Sequence, residues 1–209
     1  MSLLKTTGFL FCLALGAFLP AVVLAARPVY FIFQQKDAAT YQFDGGFDAE
    51  VDPQTAWEVL TDYNHISDFV SNMRSHVLKR QGNDLLIDQT AGGGFLFINM
   101  TVQATLLIHE EPMRAIYLQD IEHKNFADYE GVWTLAPETG GPGVQVTYHL
   151  DAQRNLQTPD FLTADLFCGS LGDLLTEMRR EMKRRQAKIR QEPTPSPGPP
   201  PTEISPPHP

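Results

Sequence analysis

The chain has 209 residues with 25 acidic and 16 basic side chains, which give a formal net charge of −9. An acidic domain without a large basic patch binds nucleic acid poorly, so we exclude nucleic acid as a partner. The length suits one domain with a core of its own once the two ends are set aside.

Residues 1–25 have the pattern of an export signal. Lys5 supplies the positive start, and the apolar run that follows is broken by Pro20. We expect cleavage after Ala25 and export, with the periplasm as the expected compartment. The alternative is an uncleaved membrane anchor, because no charged residue lies between Lys5 and Arg27 and that span is close to the ~20 residues that a bilayer requires.

The next part of the chain predicts a strand and two short helices. Residues 26–40 contain a β-prone run that we interpret as an extra edge strand or an ordered arm. From Tyr41 to Val51 polar and apolar residues alternate strictly, and Gly45-Gly46 within this strand predicts a bulge or a sharp bend. Asp52-Pro53 then begins a helix with Asp52 as its N-cap. A second short helix is predicted from about His65 to Val70.

Six further strands are predicted, and a triple glycine lies between two of them. A helix does not follow Gly92–Gly94, as a phosphate-binding loop requires, so we interpret this segment as a hairpin connection. The six predicted strands are Ser75–Arg80, Asp84–Thr90, Phe95–Ile108, Arg114–Ile121, Asp128–Leu135 and Val144–Asp151.

A long helix is predicted from about Asp160 to about Gln186. Its two glycines, Gly169 and Gly172, either leave room for a ligand or allow close packing against bulky sheet residues such as Trp133. Beyond Glu177 the helix is basic, which suits a solvated helix C-terminus and could also attract anionic lipid head groups. The apolar residues recur at three- and four-residue steps and therefore share one face: Phe167, Leu171, Leu174, Leu175, Met178 and Met182.

The last segment, residues 192–209, differs in composition from the rest. Half of its residues are proline, which cannot build a core and favours extended conformations. We predict a disordered tail there, which leaves residues 41–191 as the folded domain.

The order of strand, two helices, six strands and long helix is the helix-grip order. Three segments also resemble the polyketide cyclase/dehydrase and coenzyme Q-binding branch of the START-like superfamily, also called SRPBCC. They are VDPQTAWEVLTDY at 51–63, YEGVWTL at 129–135 and GVQVTYHL at 143–150. The resemblance implies an α+β fold in which a curved seven-stranded antiparallel sheet grips the long C-terminal helix, with two short helices after the first strand. It also implies a hydrophobic pocket between sheet and helix for lipids, quinones, sterols or polyketides.

The sequence shows no catalytic arrangement. No two of its six histidines have metal-ligand spacing on one helix, and His149 lies on the polar side of its strand. Cys168 lies in an apolar stretch with no histidine near it in sequence. We interpret Glu110-Glu111, Asp120 and Glu122 as loop and strand-end charges. We therefore predict no enzyme activity, no cofactor and no metal.

Binding or transport of a hydrophobic small molecule is the function that this pattern favours. Burying a carbon skeleton yields roughly 25 cal/mol per Å² and needs few polar anchors. Two alternatives stay open: a cyclase or dehydrase that acts on a polyketide-like substrate, and an exported interaction module with a filled core. The basic end of the last helix is a candidate for peripheral membrane contact. The predicted pocket lining consists of residues on the core faces: Phe69, Met73, Ile98, Met100, Tyr129, Trp133, Tyr148, Phe167 and Leu171.

Overall fold

The computed structural model describes residues 28–95, 98–155 and 164–191, without the side chains of 93–95, 98–100 and 164–168. The predicted leader and tail therefore lie outside the described residues. The helices are α1 (Pro53–Leu60), a 3-10 helix η1 (Tyr63–Asp68) and α2 (Ala164–Gln191). The strands are β1 (Tyr30–Gln35), β2 (Thr40–Ala49), β3 (Met73–Gln81), β4 (Asp84–Phe95), β5 (Ile98–Glu111), β6 (Ala115–Asp120), β7 (Phe126–Pro137) and β8 (Val144–Arg154).

The strands form one antiparallel sheet in the order β1-β2-β8-β7-β6-β5-β4-β3. The predicted helix-grip architecture is confirmed, with eight strands in place of seven. The additional strand is β1, which pairs with β2 from Tyr30 opposite Gly46 to Gln35 opposite Tyr41. The β-prone run in residues 26–40 therefore forms an edge strand.

Helix α2 packs across one face of the sheet and buries the apolar stripe that its spacing predicts. Leu171, Leu174, Leu175, Met178 and Met182 all belong to the core, while the side chain of Phe167 lies outside the described residues. The opposing face comes from strict alternation, as in β8, where every second residue from Val144 to Ala152 is buried. Because alternate residues of a strand point to opposite faces, this pattern leaves the outer face polar.

The bulge predicted at Gly45-Gly46 is absent, since β2 pairs with β8 in continuous register. Close approach explains both glycines. A Cβ atom on Gly45 would lie 2.7 Å from Leu175 Cδ1 of α2, and one on Gly46 would overlap the carbonyl oxygen of Val146. Sequence spacing alone could not show this, because the crowding atoms belong to elements that are distant in the chain.

The two glycines of α2 differ in their surroundings. A Cβ atom on Gly172 would lie 2.9 Å from the ring of Phe31 in β1, whereas no atom of the described residues lies within 4 Å of the corresponding position on Gly169. Close packing therefore explains Gly172, with Phe31 as the neighbour instead of the predicted Trp133.

The hairpin connection predicted at Gly92–Gly94 is also wrong. These residues belong to β4 and pair with β5, Gly92 opposite Thr101 and Gly94 opposite Asn99. The strand continues to Phe95, so the reversal of the chain falls after the glycines. An extended backbone is open to glycine as to other residues, and the long partner strand supplies the hydrogen bonds that hold it there.

Asp52 stands at the N-cap position of α1, but its side chain does not cap the helix. The Asp52 backbone N–H donates to Gln186 Oε1 (2.7 Å), and Gln186 Nε2 donates to Asp52 Oδ2 (2.8 Å). This reciprocal pair ties the start of α1 to the C-terminal half of α2. A partner 134 residues away therefore replaces the local cap that the sequence predicts.

Several arginines in the basic part of α2 beyond Glu177 contact other residues of the protein. Arg185 contacts Asp62 and Glu181 at 2.7 Å each, Arg184 also contacts Glu181, and Arg179 Nε donates to the Asp48 carbonyl oxygen. These contacts reduce the positive charge that is available to a membrane surface. Within the described ranges, no helix is both long and apolar enough to span a bilayer.

His149 lies between two carboxylates on the outer face of the sheet. Its Nδ1 is 2.6 Å from Asp44 Oδ1, and its Nε2 is 2.9 Å from Asp151 Oδ2. Both ring nitrogens can donate only when the imidazole is protonated. Burial lowers the pKa of His149, but the bonds to the two carboxylates outweigh burial and raise the pKa above the ordinary 6.5.

This arrangement predicts a pH-dependent contribution of His149 to stability. Because the folded-state pKa is raised, the contribution should be complete below about pH 6.5 and lost as pH rises through the higher folded-state pKa. The difference in free energy of unfolding between the native protein and His149→Gln should shrink over that range in urea titrations at successive pH values. The titrations cover about pH 5.5 to 8.5, roughly three pH units around the ordinary histidine pKa. A constant difference over this range would contradict the prediction.

Candidate ligand-binding cavity

A cavity of about 180 Å³ lies between the inner face of the sheet and α2. Its walls are mostly apolar, because the alternation that builds the core also directs these side chains inward. Six strands, β3 to β8, contribute to it together with α1, η1 and α2. Its apolar lining residues include Leu60, Ile66, Ile87, Val102, Ala104, Leu106, Ile108, Ile116, Leu118, Leu174 and Met178.

The volume limits what the cavity can hold. An engineered apolar cavity of roughly 150 Å³ stays dry and accepts benzene, whereas drug-sized ligands occupy roughly 300–1,000 Å³. A space of about 180 Å³ therefore suits one small ring system or a short hydrocarbon segment.

Five of the predicted lining residues reach the cavity: Met73, Tyr129, Trp133, Tyr148 and Leu171. Phe69 belongs to the core, but the guanidinium of Arg185 lies 5.3 Å from its ring centroid and Phe69 is not part of the cavity wall. The side chains of Ile98, Met100 and Phe167 lie outside the described residues. Ligand contact by all nine residues stays a prediction.

Two aromatic pairs give the cavity flat surfaces. Trp133 and Tyr148 face each other across β7 and β8 and stack with centroids 4.2 Å apart and an interplanar angle of 13°. Phe126 and Tyr129 pack at 4.8 Å. Such surfaces favour planar, apolar ligand groups.

The hydroxyl groups of Tyr129 and Tyr148 form a hydrogen-bonded pair. Burial raises the pKa of Tyr148 well above the ordinary value of 10 and also raises that of Tyr129. The bond from Tyr148 lowers the pKa of Tyr129 in part, and the negative charge of Asp120 raises it again. Both phenols are therefore neutral at physiological pH.

Asp120 is buried, with 1% of its surface exposed, although its charge predicts a position at a solvated strand end. It follows Ile116 and Leu118 on the inner face of β6, and both of these line the cavity. Oδ1 of Asp120 accepts from the backbone N–H groups of Thr105 and Glu122 at 3.2 Å each, while Oδ2 has no hydrogen-bond partner among the described residues. The two-residue alternation of β6 is the signal that could have placed it inward.

Glu110 is also buried, although the sequence predicts a loop or strand-end charge there. Tyr63 donates to Glu110 Oε1 at 2.9 Å, and Arg80 Nη1 lies 3.0 Å from Glu110 Oε2. Burial raises the pKa of Tyr63 strongly, and the adjacent Glu110 carboxylate raises it further. Because Tyr63 lines the cavity, this cluster fixes part of the wall.

The remaining polar groups of the cavity include two that hold the backbone. Arg154 donates through Nε and Nη2 to the Ala38 carbonyl oxygen at 3.1 and 3.0 Å, and Asn125 Oδ1 accepts from the Gln103 N–H at 2.8 Å. Gln89 and Ser170 also border the space. In the part of the chain that the structure describes, no three His, Cys, Asp or Glu side chains form a group that could hold a metal ion.

The model of the family described as polyketide cyclase / dehydrase and lipid transport matches residues 49–179. The chain belongs to this family. The matched region runs from the end of β2 into α2 and therefore contains most of the cavity wall. No curated protein matches the sequence, so the family assignment comes from this match together with the fold.

Solved structures of the same fold include both enzymes and lipid transfer proteins. The di-domain ARO/CYC BexL from the BE-7585A biosynthetic pathway is 9% identical with a TM-score of 0.57, over 72% of this chain and 51% of that chain. This chain thus spans about half the length of BexL. A STAR-related lipid transfer protein from Xanthomonas axonopodis is 18% identical with a TM-score of 0.56, and the match covers 74% of this chain and 92% of that chain.

The Zhui aromatase/cyclase from Streptomyces sp. R1128 is 12% identical with a TM-score of 0.56, over 76% of this chain and 96% of that chain. At such identities the likeness shows the START-like fold alone. It does not separate a binding protein from an enzyme, and it does not single out the coenzyme Q-binding branch.

Proposed function

We propose that the protein binds a hydrophobic small molecule in the cavity between the sheet and α2, and that binding without conversion is its role. The observation that carries the proposal is the apolar space of about 180 Å³ beneath α2. An empty void of this size costs on the order of 4 kcal/mol at roughly 24 cal/mol per Å³. A bound apolar molecule offsets that cost.

The chemistry of the wall favours binding over catalysis. Tyr129 and Tyr148 are neutral phenols, so neither supplies a phenolate base at physiological pH. Glu110 is held by Tyr63 and Arg80. Retention of an apolar ligand needs none of these groups to change its protonation state.

One observation favours the second candidate, a cyclase or dehydrase that acts on a polyketide-like substrate. The Asp120 carboxylate is buried beside the cavity, and its Oδ2 atom has no hydrogen-bond partner among the residues that the structure describes. Such a group can act as a general acid or base if substrate reaches it. Asp120→Asn would then abolish turnover and leave the affinity for the substrate unchanged.

Native mass spectrometry of the gently purified full chain tests the proposal. We expect a complex heavier than the polypeptide, and we expect the added mass to appear as an apolar molecule after denaturation and extraction. Recovery of the same molecule after prolonged incubation with the protein would support binding without conversion. A polypeptide mass alone, together with an empty organic extract, would contradict the proposal.

The proposal also includes export, because residues 1–25 have the pattern of a leader. Fractionation of cells that express the full chain should place it outside the cytoplasm. A strictly cytoplasmic protein of full length would exclude this part of the proposal and leave ligand binding untouched.

A further inference from the structure

The Tyr129–Tyr148 pair leaves one hydrogen-bond donor without an acceptor inside the cavity. Two phenols carry two hydroxyl hydrogens, and the bond between them uses one. The neighbouring Asp120 does not accept the second, since its Oδ2 has no partner within the described ranges and its Oδ1 accepts from two backbone N–H groups. No other described residue accepts it either.

Position identifies Tyr129 as the residue with the available donor. Both tyrosines border the cavity, but Tyr148 is 3% exposed and stacks against Trp133, whereas Tyr129 is half-buried. The bond between them raises the pKa of Tyr148, which donates it, and lowers the pKa of Tyr129, which accepts it and keeps its own hydrogen. Burial and the charge of Asp120 both oppose ionisation of Tyr129, so its hydroxyl keeps its hydrogen. The group is therefore a neutral donor that faces apolar space.

The surroundings of this donor define the rest of the ligand. The wall beside it consists of flat aromatic rings, Trp133 on Tyr148 and Phe126 beside Tyr129. The volume of about 180 Å³ admits a small ring system. A purely hydrocarbon ligand would fill this space and leave the donor without an acceptor.

We propose that the ligand is an apolar ring system with a hydrogen-bond-accepting oxygen, such as a ring ketone, and that Tyr129, supported by Tyr148, donates a hydrogen bond to that oxygen. This inference rests on the proposed function, because it names the class of molecule for the same cavity. It assigns Tyr129 and Tyr148 a role in specificity, while the apolar wall supplies affinity.

A matched pair of probes tests the inference. Indane and 1-indanone have the same ring system and differ by one carbonyl group in place of a methylene. Their dissociation constants are measured by NMR titration of three forms of the full chain. These are the native protein, the single variant Tyr129→Phe and the double variant that also carries Tyr148→Phe. The relevant quantity is the affinity for 1-indanone divided by that for indane, which removes effects common to both probes.

The double variant should lower this ratio about fivefold to tenfold, as expected for one neutral hydrogen bond, and should keep its affinity for indane. Tyr117→Phe is the control, because Tyr117 is 42% exposed and lies on the outer face of β6. It should leave the ratio unchanged. In the native protein, the infrared carbonyl band of bound 1-indanone should lie at a lower wavenumber than in an apolar solvent.

The two proposals fail in different ways. If the native protein binds neither probe, the proposed function is contradicted together with the inference. The other outcome combines three results: both probes bind, the affinity ratio is the same in the native protein and the double variant, and the carbonyl band is unshifted. In that case the cavity binds apolar molecules, and the inference alone is overturned. The infrared measurement uses native protein, so it decides the question even if a variant does not fold.

Discussion

Gly46→Ala is expected to lower the free energy of unfolding by about 3 kcal/mol, whereas Gly169→Ala is expected to raise it by about 0.5 to 1 kcal/mol. The same methyl group is added in both variants. At Gly46 its carbon would overlap the Val146 carbonyl oxygen and lie 3.2 Å from Thr147 Cα. These are backbone atoms of the paired strand, so they cannot move aside without breaking the ladder between β2 and β8.

At Gly169 the added carbon meets no atom within 4 Å in the part of the chain that the structure describes, and the residue lies exposed within α2. Alanine there restricts the unfolded chain and suits the helix, which accounts for the gain. Urea unfolding followed by circular dichroism gives both values. Effects of equal sign in the two variants would show that the approach of β8 to Gly46 is looser than the structure indicates.

The elements that could be predicted from the sequence are those with local, periodic signals. The alternation in β8 and the three- and four-residue spacing in α2 specify which faces are buried, and both faces are buried as predicted. Five cavity residues follow from the same periodicity. Periodicity indicates the face of a strand or helix on which a residue lies. The cavity walls consist of the inner faces of the strands and the apolar face of α2.

The errors concern partners that are distant in the chain. Asp52 has the sequence context of an N-cap, but Gln186 competes for its side chain. Gly45-Gly46 has the sequence context of a bulge, but Leu175 and the backbone of β8 approach it. No local pattern carries information about these neighbours.

Asp120 and Glu110 show a different kind of error. Their charge favours exposure, whereas the two-residue alternation of their strands places them on the buried face. These two sequence signals conflict. Burial prevails because each carboxylate finds donors: backbone N–H groups for Asp120, and Tyr63 and Arg80 for Glu110. Whether the space beside them is filled depends on the distance between sheet and helix, which a single sequence does not specify.

Ala104→Leu is expected to lower the affinity for the bound ligand at least about tenfold, because its side chain would occupy the space that the ligand needs. Ala104 lies on the inner face of β5 and borders the cavity. Since the added carbons enter a void, the free energy of unfolding without ligand should stay within about 1 kcal/mol of the native value or rise.

Gln103→Leu is the matched control, because Gln103 precedes Ala104 on β5 and is exposed on the opposite face. Both variants receive a leucine in the same strand, and only one of them alters the cavity. A ligand that binds the native fold raises its melting temperature by mass action. Indane should therefore raise the melting temperature of the native protein and of Gln103→Leu, and should have little effect on Ala104→Leu.

The comparison separates the cavity from other apolar sites on the molecule. Native mass spectra of Ala104→Leu should show the polypeptide without the co-purifying mass, while Gln103→Leu retains it. If Ala104→Leu is folded and still carries the molecule at the native level, the ligand binds elsewhere. The void beneath α2 would then be a packing defect of roughly 4 kcal/mol that the core tolerates. If Ala104→Leu loses ligand binding but keeps its free energy of unfolding, then different residues around the cavity determine ligand binding and the stability of the fold.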